Sequence, residues 1–157
     1  MVAAMNFCFW PDNSSGQFEY EHMTRNIEKI LDSEPSFFTP LRLATVTEGE
    51  IRRRVFNNNW KFALVDERAR LLREIGQRLL DADKTFLSFV QANTSCPKLV
   101  KSIVDTFEGF RDQAVYKGRQ VFFYKRAQIL VADLARAYDD FAAAFEELVE
   151  DLPQLTD

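Results

Sequence analysis

The stretch ALVDERARLLREIGQRLLDA (63–82) constrains this chain more than any other part of it. Leu72, Ile75 and Leu79 recur on one helical face, while Asp66, Arg70 and Glu74 are spaced to pair along the opposite one. A helix with a single apolar stripe has to bury it against other elements, so the run reads as scaffold for a helical domain. The flanking sequence agrees. Met23, Ile27, Ile30 and Leu31 predict a helix over 19–31, which the two prolines of DSEPSFFTP interrupt. Thr47 and Glu50 predict a capping box that opens a helix with Ile51, Val55 and Phe56 inside, closed by NNNW.

Further along, a short helix is expected at 85–90. Another should be capped by Ser95, with Pro97 in its first turn and Leu99, Val100, Ile103 and Val104 buried. Only AVYKGRQVFF (114–123) reads as strand: two β-prone flanks around Lys117-Gly118 predict a small hairpin or irregular turn. From Tyr124 to Pro153 the sequence is helix-prone throughout. The expected fold class is mainly α, a single helical domain over 1–157 with a small β-hairpin near 114–123.

Several functional classes are disfavoured. The net charge of −4 supplies no global positive field, so direct nucleic-acid binding is not expected. Cys8, Cys96 and the lone His22 lack metal-ligand spacing, and the two thiols read as reduced and intracellular. His22 itself reads as a cap or surface residue. No apolar run reaches a membrane span and no signal peptide opens the chain, so the expected setting is soluble and cytoplasmic. No phosphate-binding glycine loop, GxSxG, HExxH or CxxC motif occurs.

Two stretches remain as candidates for chemistry. NFCFWPD (6–12) clusters aromatic residues before the turn-forming PDNSSG, either as the first piece of a core or as the wall of a pocket. In FFYKRAQILVADL (122–134), Lys125 and Arg126 follow three aromatic residues at a predicted helix start, where burial beside rings would equip a lysine to hold an acid. The plainer readings are core packing for Phe7, Phe9 and Trp10, loop capping for Asn6 and Asp12, and an outward-pointing ammonium for Lys125. Asp66 and Glu67, adjacent on a charged face, read as solvated rather than as an acid pair.

Taken together, MNFCFWPD (5–12), LATVTEGEIR (43–52), LVDERARLLREIGQRLL (64–80) and FRDQAVYKGRQVFFYKRAQILVADL (110–134) resemble the queuosine salvage family of queuosine 5′-phosphate N-glycosylase/hydrolases, and the resemblance covers almost the whole chain. It implies a mostly helical fold like that of the helical DNA glycosylases. It also implies hydrolysis of the N-glycosidic bond of queuosine 5′-monophosphate, releasing queuine for transfer-RNA modification, with no metal and no organic cofactor. The reaction builds oxocarbenium character on the ribose and needs a nearby carboxylate and donors for the departing base.

By the same resemblance Lys125 is the matched lysine of the catalytic region, and Asn6, Phe7, Phe9, Trp10, Asp12 and Tyr124 are substrate-binding candidates. Arg126, Lys117 and Arg119 are candidates for the phosphate. The family continues beyond both ends of this sequence and carries an F-A-D-Y-R motif whose aspartate is the expected carboxylate. The chain is therefore expected to be truncated at both ends, and neither Asp157 nor any other residue here is given that role. Such a chain would leave Leu134, Phe141, Phe145 and Leu148 under-covered, a face open to self-association. The competing expectations are a nucleotide-binding fragment that does not cleave and a helical interaction module.

Overall fold

Gly76, in the middle of the strongest predicted helix, is where a neighbouring helix comes closest. The computed structural model describes residues 1–9, 20–93 and 95–137. In it, the helix is α5 (Val65–Asp81). A Cβ built on Gly76 would lie 2.6 Å from the Pro40 carbonyl oxygen and 2.8 Å from the Leu43 carbonyl carbon, and closer still to the Ala44 nitrogen. All three are backbone atoms of helix α3 (Pro40–Ala44), so nothing flexible can swing aside. Glycine lowers helix propensity here, and the close approach it permits is the compensation.

The described residues fall into two compact units, one running from Met1 to Phe86 and the other beginning at Leu87. In the first, α1 (Val2–Met5), α3 and α4 (Glu48–Arg54) pack on α5. Helix α2 (Tyr20–Ser33) packs on the short 3₁₀ turn Pro35–Phe38 and buries Met23, Ile27 and Ile30 as its periodicity predicts. Along α5 the predicted stripe of Leu72, Ile75 and Leu79 is buried. The outer face differs in one pairing: Arg70 reaches Glu67 at 2.7 Å rather than Asp66.

The capping box at α4 is present in full. The Glu50 amide donates to Thr47 Oγ1 at 3.2 Å, and the Thr47 amide donates to Glu50 Oε2 at 3.3 Å. Arg42 of α3 also donates to the Glu50 carboxylate, and this bond holds the Glu50 pKa below the ordinary carboxylate range. The NNNW stop has a physical cause: Asn57 and Asn58 take left-handed backbone (φ 51° and 58°), which asparagine tolerates better than most residues. Asn26 of α2 donates to the Val55 carbonyl at 2.8 Å and to Asn57 Oδ1 at 2.9 Å, tying α2 to this turn.

The second unit holds α6 (Phe86–Gln91, starting one residue before the boundary), α7 (Cys96–Thr106), a 3₁₀ turn (Glu108–Phe110), the strands β1 (Gln113–Tyr116) and β2 (Arg119–Phe122), and α8 (Lys125–Ala137). Leu99, Val100, Ile103 and Val104 are buried as expected, but the Ser95 side chain makes no capping bond; Ser95 serves only through its carbonyl, which accepts from Leu99 at 2.9 Å. The predicted hairpin is present, antiparallel with Gln113 opposite Phe122 and Tyr116 opposite Arg119. Its two-residue turn has φ of 48° at Lys117 and 74° at Gly118, the paired positive values a type I′ turn requires.

Helix α8 buries Ala127, Val131 and Ala135 and packs on α7, with Leu134 half-buried. The remaining expectations for this helix, including Phe141, Phe145 and Leu148, lie outside the described residues. Among the described residues no helix is long and apolar enough to cross a membrane.

Two predictions follow from the packing. Gly76→Ala should lower unfolding free energy in urea by about 2 kcal/mol, because overpacking against fixed backbone exceeds the roughly 1 kcal/mol gain in helix propensity. Glu50→Gln should cost about 1 kcal/mol at neutral pH. Since folding depresses the Glu50 pKa, the stabilisation is complete above the unfolded value and lost as pH falls through the folded one. In urea titrations the stability difference between the two proteins should therefore begin to shrink as pH falls below about 4 and vanish only below the depressed folded value.

Candidate functional site

Arg68 is the most deeply buried charged residue described, with no exposed surface. It sits one turn into α5, in register with Val65, Leu72 and Ile75 on the buried face. Its donors go entirely to backbone carbonyls: Nε to Met5 at 3.1 Å, Nη1 to Ala63 at 2.8 Å and Leu64 at 3.1 Å, and Nη2 to Phe7. Four rings surround the guanidinium, with centroids 4.3 Å away at Phe7, 4.8 Å at Phe62, 5.3 Å at Phe56 and 5.4 Å at Phe9. Burial pushes the Arg68 pKa down to about 10, opposed in part by Cys8. The group stays charged at neutral pH.

The aromatic opening of the chain is thus partly core. Phe7 and Phe9 are half-buried, and Phe9 also packs on Phe62 at 5.5 Å and on Tyr20 at 6.3 Å. Asn6 and Cys8 are exposed, and Cys8 has left-handed backbone (φ 51°). Trp10 and Asp12 lie outside the described residues. Arg68 went unnoticed in the sequence, although its spacing from Val65, Leu72 and Ile75 places it on the buried stripe; an arginine there was the available signal.

Tyr124 and Lys125 belong to the second unit. Tyr124 has left-handed backbone (φ 50°), stacks on Phe122 at 5.9 Å, and borders a groove of about 340 Å³ with Pro97, Val100, Lys101, Val104 and Asp105. Lys101 and Asp105 form a 2.8 Å ion pair on its rim. Lys125 is the first residue of α8 and is exposed. The burial beside rings expected for it does not occur, because Phe122 and Phe123 are themselves 52% and 60% exposed on an outward hairpin.

Arg126 is committed elsewhere. Its amide donates to Asp112 Oδ2 at 3.0 Å, its Nε to Asp112 Oδ1 at 2.8 Å, and its Nη2 to the Gly109 carbonyl. Asp112 therefore occupies the amino end of α8 where a phosphate would otherwise find donors. Lys117 lies over the Tyr116 ring at 5.3 Å, and Arg119 is exposed on β2. Among the described residues no group of three His, Cys, Asp or Glu side chains is arranged to hold a metal ion.

Comparison with known proteins gives this arrangement its context. The family model for queuosine salvage proteins matches residues 1–157, and the chain belongs to that family. Curated relatives named queuosine 5′-phosphate N-glycosylase/hydrolase include one from Dictyostelium discoideum, 39% identical over 88% of this chain and 42% of its own length. One from Sphaerobacter thermophilus is 35% identical over 96% of this chain and 49% of its own length, and one from Mus musculus is 32% identical over 85% and 43%. The chain thus spans less than half the length of the curated relatives it matches.

Because Asp112 fastens the start of α8, Asp112→Ala should lower stability by about 2 kcal/mol, the usual cost of losing a part-buried charge-assisted pair. Chemical denaturation monitored by circular dichroism checks this, and a loss under about 0.5 kcal/mol would show that the pair is not holding the helix.

Proposed function

We propose that this chain is part of a queuosine 5′-phosphate N-glycosylase/hydrolase and takes part in cleaving the N-glycosidic bond of queuosine 5′-monophosphate to release queuine for transfer-RNA modification. The observation that carries the reading is the family match along all of residues 1–157, together with relatives from an amoeba, a bacterium and a mammal bearing that one name. Both compact units are read as pieces of a single queuosine salvage domain, because the match runs across them without a break.

In the proposed reaction the C–N bond breaks as positive charge builds on the ribose, the departing ring nitrogen takes a proton, and water adds its hydroxyl to the anomeric carbon. Lys125 is the residue proposed to orient or protonate a reacting group, and its exposure at the start of α8 leaves its ammonium accessible to a ligand. Asn6, Phe7, Phe9, Trp10, Asp12 and Tyr124 are proposed to contact the substrate, flat rings being suited to stacking on a deazapurine. No residue here is assigned the carboxylate that stabilises the oxocarbenium ion. The expected cellular setting is the cytoplasm.

A second reading, a nucleotide-binding piece that does not cleave, is favoured by the span of 42–49% of the relatives' length. Incubation with queuosine 5′-monophosphate, followed by chromatography for queuine, separates the two. Release that falls at least about a hundredfold in Lys125→Ala supports the hydrolase. Binding without release supports the fragment. A melting temperature unmoved by saturating nucleotide would sink both readings, since ligand at a hundredfold its dissociation constant adds about 2.7 kcal/mol of stability.

A further inference from the structure

Arg68 is buried without a carboxylate, and what it holds in place is backbone. Its Nε and Nη2 reach the Met5 and Phe7 carbonyls, 63 and 61 residues away in sequence, while Nη1 reaches Ala63 and Leu64 beside its own helix. These bonds adjoin two strained positions. Cys8, next to the Phe7 carbonyl, has φ of 51°, and Leu64, whose own carbonyl is bonded, has φ of 56°. Neither is glycine, and left-handed backbone at such residues persists only where the surroundings over-determine it. The guanidinium supplies that constraint from below, and the Phe7 and Phe9 rings close over it at 4.3 and 5.4 Å.

We propose that Arg68 is a positioning residue: it sets the backbone of residues 5–9 so that Asn6 and the outer edges of Phe7 and Phe9 are presented to the substrate base in one conformation. The proposal rests on the reading above that these residues face the base. Arg68 itself touches no substrate; it acts through the carbonyls of Met5 and Phe7. A lysine at this position keeps the charge but offers its donors from one nitrogen, so it cannot span Met5, Phe7 and Leu64 together. An ordered wall lowers the entropy cost of binding, so loosening it should weaken affinity without altering the chemistry at the bond.

The test compares wild type, Arg68→Lys and Phe9→Ala by calorimetric titration with queuosine 5′-monophosphate and by limited chymotrypsin digestion with mass analysis of the products. Arg68→Lys should cleave after Phe7 or Phe9 at least about tenfold faster, with residues 65–81 still protected, and should bind about tenfold more weakly. A merely structural arginine would lower the melting temperature while leaving both cleavage at these bonds and affinity unchanged, and that result would overturn the proposal. If Phe9→Ala loses affinity and Arg68→Lys does not, Arg68 is not the positioning residue although the base contact stands. If neither loses affinity, the placement of the base fails and the proposal fails with it. Should Arg68→Lys not fold, Phe56→Leu loosens the guanidinium from the buried side, 5.3 Å away, without altering any proposed base contact. It is expected to show the same two changes, and normal affinity with rapid cleavage there would overturn the proposal.

Discussion

The burial of the Arg68 guanidinium is the constraint around which the first unit is organised. An ion removed from water costs several kcal/mol even after relaxation, and no carboxylate is among its hydrogen-bond partners. The cost is offset by four carbonyl acceptors and four ring faces, which are available only if the chain opening, the loop before α5 and the residue just past α4, Phe56, converge on one point. A second buried arginine, on α4, is held differently, by a carboxylate as well as by carbonyls. Arg52 is buried, bonds Glu48 at 2.6 Å and the Asn59 carbonyl at 2.8 Å, and lies 5.1 Å from the Trp60 ring. The phenylalanine richness of the sequence thus has a specific use at Arg68, where four rings wall in a cation that a helix carries inward.

The second unit relies on Asp112 in a comparable way. Its carbonyl accepts from Phe123 at 2.8 Å, closing the base of the hairpin, and its carboxylate holds both the amide and the guanidinium of Arg126. One residue therefore fixes where β2 ends and α8 begins, and Tyr124 and Lys125 lie between those two bonds. The hairpin itself contributes little core, since Val115 is 71% exposed and β1 buries none of its residues. Its register rests on the Lys117-Gly118 turn and on Asp112, which suffices for a two-stranded ribbon anchored at its open end.

Much of this architecture was legible in the sequence because its causes are local. The α5 stripe, the Thr47–Glu50 box and the hairpin turn each depend on residues within a few positions of one another. The candidate site was less legible. NFCFWPD and Lys125 stood out by residue type, but their substrate roles and that of Tyr124 came from the family resemblance; residue type alone favoured packing for Phe7 and Phe9, which are half-buried, and an outward ammonium for Lys125, which is exposed. Arg68 and the Asp112–Arg126 pair were not foreseen. The spacing of Arg68 marks it as buried, but its partners and those of Arg126, 61 and 14 residues away, are not readable from a local pattern.

The sequence by itself determined the helical class, the main amphipathic helices, the capped start of α4 and the small hairpin, because periodicity, capping and turn chemistry act over a few residues. Only the tertiary structure decided that Gly76 admits α3, that Arg68 rather than a hydrophobic residue lies at the centre of the aromatic cluster, and that Lys125 stands exposed while Arg126 is tied down. Those outcomes depend on desolvation and on contacts between distant segments. Their energies take effect only once the chain has closed on itself.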